Sequence, residues 1–542
     1  MPPIIPRIVA FFAAKSAGRE LNQFFHATEH LQAVQQSVLR RQLKLVAQSD
    51  FARDYHLDAV DGVKDFRNRL PVMRYENIKP YIERLKQGDT RALFAPGQNL
   101  LLFALTSGTT AEPKFIPVTR QSLADYRRGW NIFGLKALLD HPNAFFRKIV
   151  QITSPARETQ TPGGAWAGAI TGLLAETQKW IVRRHYVTPL SAAQIKDPTA
   201  KMYVVAYRAI GEDVAFINTA NPSTTLRLAQ TIDRFASELI RDLRDGVIRP
   251  PGNADHSEWQ NLAQTPNPKR AAKLEALRSR HGRLLPRNLW NLSFIDNWTG
   301  GTLKLYLQRF PEYFGDTPVR DLGLLASEGR FSIPIQDHTP AGILDITSNF
   351  FEFIPESEYE QTNPTVLTAD QVKVGERYFL VFSNATGLCR YDIGDLVRVV
   401  DFYRQTPMIE FLNKGAHVSS VTGEKVTEHQ VVEAMEQVAR QLGQTIDSFL
   451  LQPQWADPPH YVLSVEIGAG PTEILADLFD RALAQINLEY KLKRESGRLG
   501  PVQIHVLPKG FFRDDDLRRL AAGGRSEQYK RKFLRTDFVS SA

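Results

Sequence analysis

Apolar positions along the chain follow two periods. Through Leu31, Val34, Val38, Leu43 and Val46 they recur at helical spacing, so residues 7–58 read as helices. VMRYENIKPYIERLKQG (72–88) holds a second amphipathic helix, closed by Gly88, and helical spacing returns over Ser122–Leu139 and Lys201–Ala206. Between these lie short unbroken apolar runs that read as buried strands: Leu101–Leu105, Phe115–Val118, Lys148–Thr153, Val214–Asn218, Leu289–Phe294, Leu322–Ala326 and FFEFIP at 350–355. In FINTANPSTTLRLAQTI (216–232) a strand end, an Asn-Pro turn and a Ser223 or Thr224 cap precede a helix. Thr161–Gly172 is a glycine-rich loop around Trp166, either a plain connection or a pocket wall, and residues 250–286 form a linker-like excursion. Short strands alternating with helices predict an α/β architecture.

Lys414-Gly415 reads as a flexible joint. After it the pattern predicts a strand at Val418–Val421 and a Thr427-capped helix over 428–442. Strands near 448–452 and 460–467, a helix over 472–492 and a strand over 501–507 complete a second compact α/β unit.

With 542 residues there is chain for about two to four domains, and 43% hydrophobic and 23% charged content is that of a folded globular protein. Cys389 is the one cysteine, which excludes disulfides and cysteine-rich metal sites and fits a reducing, cytoplasmic setting. Ile8–Ala14, between Arg7 and Lys15, is a minimal signal-like core. The chain reads on from it as an amphipathic helix, so no cleaved leader is expected. No apolar run reaches membrane-spanning length. Sixty-seven basic against 59 acidic residues leave a net charge of +8, spread along the chain. The densest cluster, Arg518, Arg519, Arg525, Lys530, Arg531, Lys532 and Arg535, is interrupted by acids and accompanied by no nucleic-acid motif. Neither nucleic acid nor membrane is expected as a partner; a basic surface that favours small anionic substrates is.

Residues 101–119, LLFALTSGTTAEPKFIPVT, carry the strongest chemical signal. A buried strand empties into Thr106, Ser107, Gly108, Thr109 and Thr110, and Lys114 follows just before the next strand. Hydroxyls, exposed amides and a glycine that admits close backbone approach suit phosphate oxygens, and Lys114 adds a point charge. A Ser/Thr-rich surface turn is the alternative. The segment lacks the second glycine of the G-x-x-x-x-G-K-[ST] loop and is no G-x-G-x-x-G fingerprint. In LGLLASEGRFSIPI (322–335) an apolar run ends at Ser327-Glu328-Gly329, which places a carboxylate able to hold Mg²⁺ at a strand end, or else a solvated turn glutamate. In YFLVFSNATGLCRYDIGDLVRVV (378–400) two strands meet at Asn384–Gly387. Asp392-Ile-Gly-Asp395 then reads as a tight turn, where Asp395 has acceptor capacity for both ribose hydroxyls of a nucleotide. Glu352 on FFEFIP has no evident role.

The order T-S-G-T-T-x-x-P-K, A-S-E-G, Y-x-x-G-D, a joint, then a C-terminal lysine resembles the adenylate-forming superfamily of acyl-CoA synthetases, adenylation domains and luciferases. A finer resemblance is to the acyl-acid amido synthetases of the Gretchen Hagen family, first known from plant auxin response. It rests on PVMRYENIKPYI (71–82), FINTANPS (216–223), FFEFIP (350–355), CRYDIGD (389–395), the Lys425–Glu428 region and GGRSEQYK (523–530). The resemblance implies a large N-terminal domain, residues 1–412, of β-sheets flanked by helices plus a β-barrel-like part, with a small mobile α/β domain over 413–542. It implies ATP and Mg²⁺, and condensation of a carboxylic acid with an amine or amino acid through an acyl-adenylate. Thr106, Ser107, Gly108, Thr109, Thr110 and Lys114 would hold phosphates, and Ser327, Tyr391, Asp395 and Lys414 would surround the nucleotide. Glu328 would take the metal, and Lys530 would join Lys114 and Glu328 in catalysis. Departures stand at Thr109, Thr110 and Ala111, where plant members usually carry serines and a glycine. Arg390 displaces the arginine of Y-R-x-G-D, and Lys414 stands where they have a joint arginine. An acyl-CoA ligase or a non-catalytic nucleotide-binding scaffold are the alternatives.

Overall fold

The computed structural model describes residues 18–106, 113–252, 257–300, 303–415, 418–456 without 420, 423 and 425, then 458–466, 468, 472–495, 497–521 and 531–537. Ser107, Gly108, Thr109, Thr110 and Lys530 lie outside these residues, as does the signal-like core at Ile8–Ala14.

The chain builds mixed α/β structure around several sheets. The apolar run after residue 99 becomes β1 (Leu100–Leu105), which pairs antiparallel with β2 (Phe115–Thr119). Thr106 N–H donates to Lys114 O at 3.1 Å, carrying the hairpin one residue beyond the strands. Thr119 ends β2 and starts the long helix Arg120–Asp140. Its side chain accepts from the Ser122 amide while the Ser122 hydroxyl accepts from the Thr119 amide, so two helix-end donors are satisfied reciprocally. β4 (Thr159–Gln160) and β5 (Trp166–Gly168) complete this sheet in the order β2-β1-β5-β4. The glycine-rich segment is therefore part strand, and the helix Ile170–Glu176 follows it.

A second sheet is parallel: β3 (Lys148–Gln151), β6 (Val214–Asn218), β7 (Phe294–Asp296) and β8 (Val319–Arg320), in that order. Its strands are apolar and helices such as Pro198–Ile210 and Pro222–Arg234 pack against it, as parallel sheets require. The cap of the Pro222–Arg234 helix is Asn221, whose side chain accepts from the Ser223 amide, rather than Ser223 or Thr224. Pro222 sits at N1, where its missing N–H costs nothing. The run Leu289–Phe294 is not one strand: Pro286–Leu289 is a helical turn and β7 begins at Phe294.

The third sheet is seven-stranded and antiparallel, in the order β11-β12-β17-β16-β15-β13-β14. Its members are β11 (Ser332–Ile333), β12 (Gly342–Leu344), β13 (Phe350–Pro355), β14 (Leu367–Thr368), β15 (Arg377–Ser383), β16 (Tyr391–Tyr403) and β17 (Thr406–Lys414). It shares one core with the helices Leu31–Val46 and Tyr75–Lys86 and with β1 and β2. Asp392–Asp395 is not a turn but an irregularity inside β16. The register against β15 jumps between Phe379 and Val381, and Gly394 takes φ +73°, a conformation glycine adopts without strain. Glu352 acquires a role here. Its fully buried carboxylate accepts from Arg67 Nε at 2.7 Å and Arg390 Nε at 3.0 Å, tying the N-terminal helices to the sheet. Arg390 is thus spent on the framework, in a left-handed conformation at φ +47°.

The C-terminal unit carries a separate core around the helices Glu428–Leu442 and Thr472–Ile486 and the strands Phe449–Gln454, His460–Glu466 and Gln503–Leu507. Thr427 forms the expected cap. The helix expected over 472–492 is broken at Asn487, whose side chain accepts from the Tyr490 amide and starts Leu488–Glu495.

Candidate active site

The run Leu322–Ala326 delivers a strand only at its end. β9 (Leu325–Ala326) pairs with β10 (Gly329–Arg330), so Ser327 and Glu328 are the two residues of a tight hairpin. Ser327 Oγ donates to Leu105 O at 3.4 Å and Tyr126 OH donates to Ala326 O at 3.1 Å, which sets the hairpin between the end of β1 and the Arg120–Asp140 helix. Glu328 is 6% exposed and makes no ion pair among the described residues. Burial raises its carboxyl above the ordinary range, against the pull of Lys414 and Lys114.

Asp395 arrives from β16 and Lys414 from the last position of β17, directly opposite in the register. Lys414 Nζ lies 2.7 Å from Asp395 Oδ1 and donates to Ile393 O at 3.2 Å. Burial opposes the Lys414 charge, yet Asp395 and Glu328 together raise the ammonium above its usual value. Lys114 completes the set. Its Nζ lies 5.2 Å from the centre of the Tyr75 ring, and the Tyr75 hydroxyl accepts from the Phe115 amide at 2.9 Å.

Thr106, Lys114, Ser327, Glu328, Asp395 and Lys414 line one cavity of about 920 Å³. The Thr106 hydroxyl is buried there without a hydrogen-bond partner among the described residues. Of the sequence candidates that are described, Tyr391 alone stays out of the lining. It is 1% exposed, packed with Phe382, and near enough to Glu328 for that charge to oppose its ionisation, after burial itself. The C-terminal unit reaches the same cavity through Glu428, Arg531 and Lys532. Arg531 is held by Asp516 and by Ser448 Oγ at 2.7 Å, and Phe533 and Leu534 are buried against Leu451. Residues 531–534 are thus anchored beside the cavity wall.

The rest of the cavity was not foreseen. Its floor is the parallel sheet, and the register sorts the floor into two rows. Gln151, Asn218 and Asp296 form a polar row at the C-terminal ends of the strands. Two residues back, Ile149, Phe216 and Phe294 form an apolar row in which the Phe216 and Phe294 rings stack at 4.5 Å. Gln151 Oε1 and Asp296 Oδ1 lack hydrogen-bond partners among the described residues, and burial holds the Asp296 carboxyl well above its ordinary range. Opposite runs a stripe of the Arg120–Asp140 helix at helical spacing: Arg127, Asn131, Gly134 and Leu138. At the joint between the two halves Asp321 accepts from the Thr299 amide and hydroxyl and from the Gly323 amide. Burial still pushes it up to about 6. The period-2 alternation in each strand was the available signal for these rows, but it names no ligand.

Comparison with known proteins agrees with this fold. Family models match as the GH3 family N-terminal domain over residues 20–319, the central domain over 342–414 and the C-terminal domain over 429–537. Among curated relatives, a jasmonoyl–L-amino acid synthetase, GH3.5, of Oryza sativa subsp. japonica is 25% identical over 95% of this chain and 94% of its own length. An indole-3-acetic acid-amido synthetase, GH3.10, of Arabidopsis thaliana is 23% identical over 95% and 94%. Among solved structures, a GH3.15 acyl acid amido synthetase superposes with a TM-score of 0.83 at 22% identity, over 95% of this chain and 94% of that one.

Proposed function

The chain belongs to the GH3 family, and from that premise we propose that it is an AMP-forming acyl acid amido synthetase. It activates a carboxylic acid with ATP as the acyl-adenylate and passes the acyl group to an amine, an amino acid by analogy with the relatives. One observation carries this reading. Residues from four distant stretches, Thr106 with Lys114, Ser327 with Glu328, Asp395, and Lys414, converge on one cavity whose other half passes a polar row and reaches an apolar one.

In the first half-reaction a carboxylate oxygen of the acid attacks the α-phosphorus of ATP. The bond to the bridging oxygen of the β-phosphate breaks, and pyrophosphate leaves. Both reactants are anionic, so the site must hold negative charge in the transition state. Lys114 and the hydroxyls from Thr106 to Thr110 take the phosphates. Asp395 keeps one oxygen on Lys414 and has acceptor capacity for the ribose hydroxyls. Glu328, buried and without an ion pair among the described residues, fits as the carboxylate that would hold Mg²⁺, which when bound would neutralise charge on the phosphate oxygens. In the second half-reaction a neutral amine attacks the acyl carbon, the carbon–nitrogen bond forms, AMP leaves with the electron pair, and the amine gives up a proton.

We divide the chain at residue 413, with the smaller part rotating between half-reactions and Lys530 serving the first. Lys530→Ala should then abolish adenylation yet still convert a pre-made acyl-adenylate and amine to amide. Equal loss of both steps in folded protein would reject the rotation. The function itself is tested by acid-dependent pyrophosphate release with hydroxylamine as acceptor. A hydroxamate product is expected, whereas a thioester formed only with coenzyme A would make the protein an acyl-CoA ligase. No release with any acid would leave a nucleotide-binding scaffold.

A further inference from the structure

ATP does not account for the far half of the cavity. That half follows the Arg120–Asp140 helix from Tyr126, which touches the Ser327–Glu328 hairpin through Ala326, to Leu138. At the rise of an α-helix this is a run of ~18 Å away from the phosphate end. The helix contains two glycines with different reasons to be there. A Cβ at Gly129 would lie 2.7 Å from Arg330 Cδ, so packing requires glycine. A Cβ at Gly134 would meet nothing within 4 Å, and Gly134 lines the cavity. Glycine weakens a helix interior. No neighbour requires this one, and it keeps open a space that no described protein atom fills. Beyond it the cavity is lined by the apolar row of Ile149, Phe216 and Phe294, with Leu138 packed against that row.

We infer that the acid activated here is elongated and lipophilic. Its carboxylate sits beside the Ser327–Glu328 hairpin, and its hydrocarbon tail passes Gly134 to end on the apolar row. This rests on the proposed acid activation. A compact acid would leave the gallery beyond Gly134 unfilled and gain none of the burial that drives apolar ligands into such walls.

The test compares butanoate with decanoate in wild type and Gly134→Leu, which puts a side chain into the open space and favours the helix. With hydroxylamine as acceptor, pyrophosphate release should give wild type a higher kcat/KM for decanoate than for butanoate. Gly134→Leu should lower that ratio by about tenfold or more, with a thermal midpoint held or raised. Calorimetry of decanoate binding without ATP should show a parallel loss. The inference is overturned if the ratio is unchanged in the variant or if wild type prefers butanoate. If neither protein releases pyrophosphate with any acid, the activation reading fails and calorimetry decides the gallery alone. Decanoate binding weakened by Gly134→Leu then upholds it, and binding that is equal or absent overturns it.

Discussion

The two ends of the cavity are built by different means. At the phosphate end the lining comes from places where regular structure stops: Thr106 just past β1, Lys114 just before β2, the two-residue Ser327–Glu328 hairpin, the irregular stretch of β16 that carries Asp395, and the last residue of β17. At the far end it comes from regular elements themselves, one face of the Arg120–Asp140 helix and alternate positions of three parallel strands up to their last residues. Polar, charged groups at element ends can approach a ligand with backbone and side chain together. Side chains on a sheet and a helix make a wall fixed by packing, shaped for bulk rather than for particular atoms.

Behind the phosphate end stands a frame that should separate from the chemistry by experiment. Glu352 is fully buried between Arg67 and Arg390. Glu352→Gln leaves two guanidinium groups short of a counter-charge, and breaking a buried ion pair in this way costs about 3–5 kcal/mol. A urea titration should show that loss, while kcat per folded molecule is retained. Retained stability would mean that the arginines find other partners and that the frame is not held here.

Glu328→Gln should give the next largest effect, now in catalysis. Turnover at saturating ATP and acid should fall about 100-fold, as when one charge-stabilising group leaves a reaction centre. Stability should hold or rise, because burial already disfavours the Glu328 charge. The loss should be the same for short and long acids, since Glu328 belongs to the phosphate end alone. A loss confined to one acid class would merge the two ends that the structure keeps apart.

That separation also explains what could be read beforehand. Thr106, Ser327, Glu328 and Asp395, which line one end of the cavity, could be picked out because each belongs to a short string: T-S-G-T-T at 106–110, A-S-E-G at 326–329 and Y-D-I-G-D at 391–395. Each string departs from helix and strand periodicity, which is what made it visible. Phe216 and Gly134 followed the periodicity of their own elements. They came to line the cavity only through the register of β3, β6 and β7 and the placement of one helix over it, neither of which is local. Within the fold, element types were legible where a period ran long, as in 428–442. They were misread where a short apolar run straddled two elements, as at Leu289–Phe294, or where a glycine sat inside a strand, as at Gly394. Glu352 had no meaning until Arg67 and Arg390, distant in sequence, closed on it.

Asp395→Ala should act on one substrate only. Removing the acceptor for the ribose hydroxyls, at the value of one hydrogen bond to a charged group, should raise the ATP Kd about tenfold. The KM for the acid should stay put. Calorimetry with ATP and a titration of acid at saturating ATP read the two quantities apart. An unchanged ATP Kd in folded Asp395→Ala would leave the Asp395–Lys414 pair as a strand-end clasp with no part in nucleotide binding.

The smallest effect is expected at Asp321, where the two ends meet. Its folded-state carboxyl is pushed up to about 6 by burial, from 3.8 when free, so the native state binds its proton more tightly than the unfolded chain does. The stability this confers is full below 3.8 and is lost as pH rises through about 6. Between pH 5 and pH 7 the loss from this one group is about 1 kcal/mol, close to one proton over one pH unit. Asp321→Asn does not titrate. Its unfolding free energy should therefore lack this component of the slope, and the unfolding free energy of wild type minus that of the variant should fall by about 1 kcal/mol as pH rises from 5 to 7. Urea titrations at the two pH values read that difference directly and cancel the carboxylates common to both proteins. If the difference is constant, Asp321 is already ionised at pH 5. The three hydrogen bonds from Thr299 and Gly323 would then outweigh its burial, and the joint between the two halves would carry a fixed negative charge.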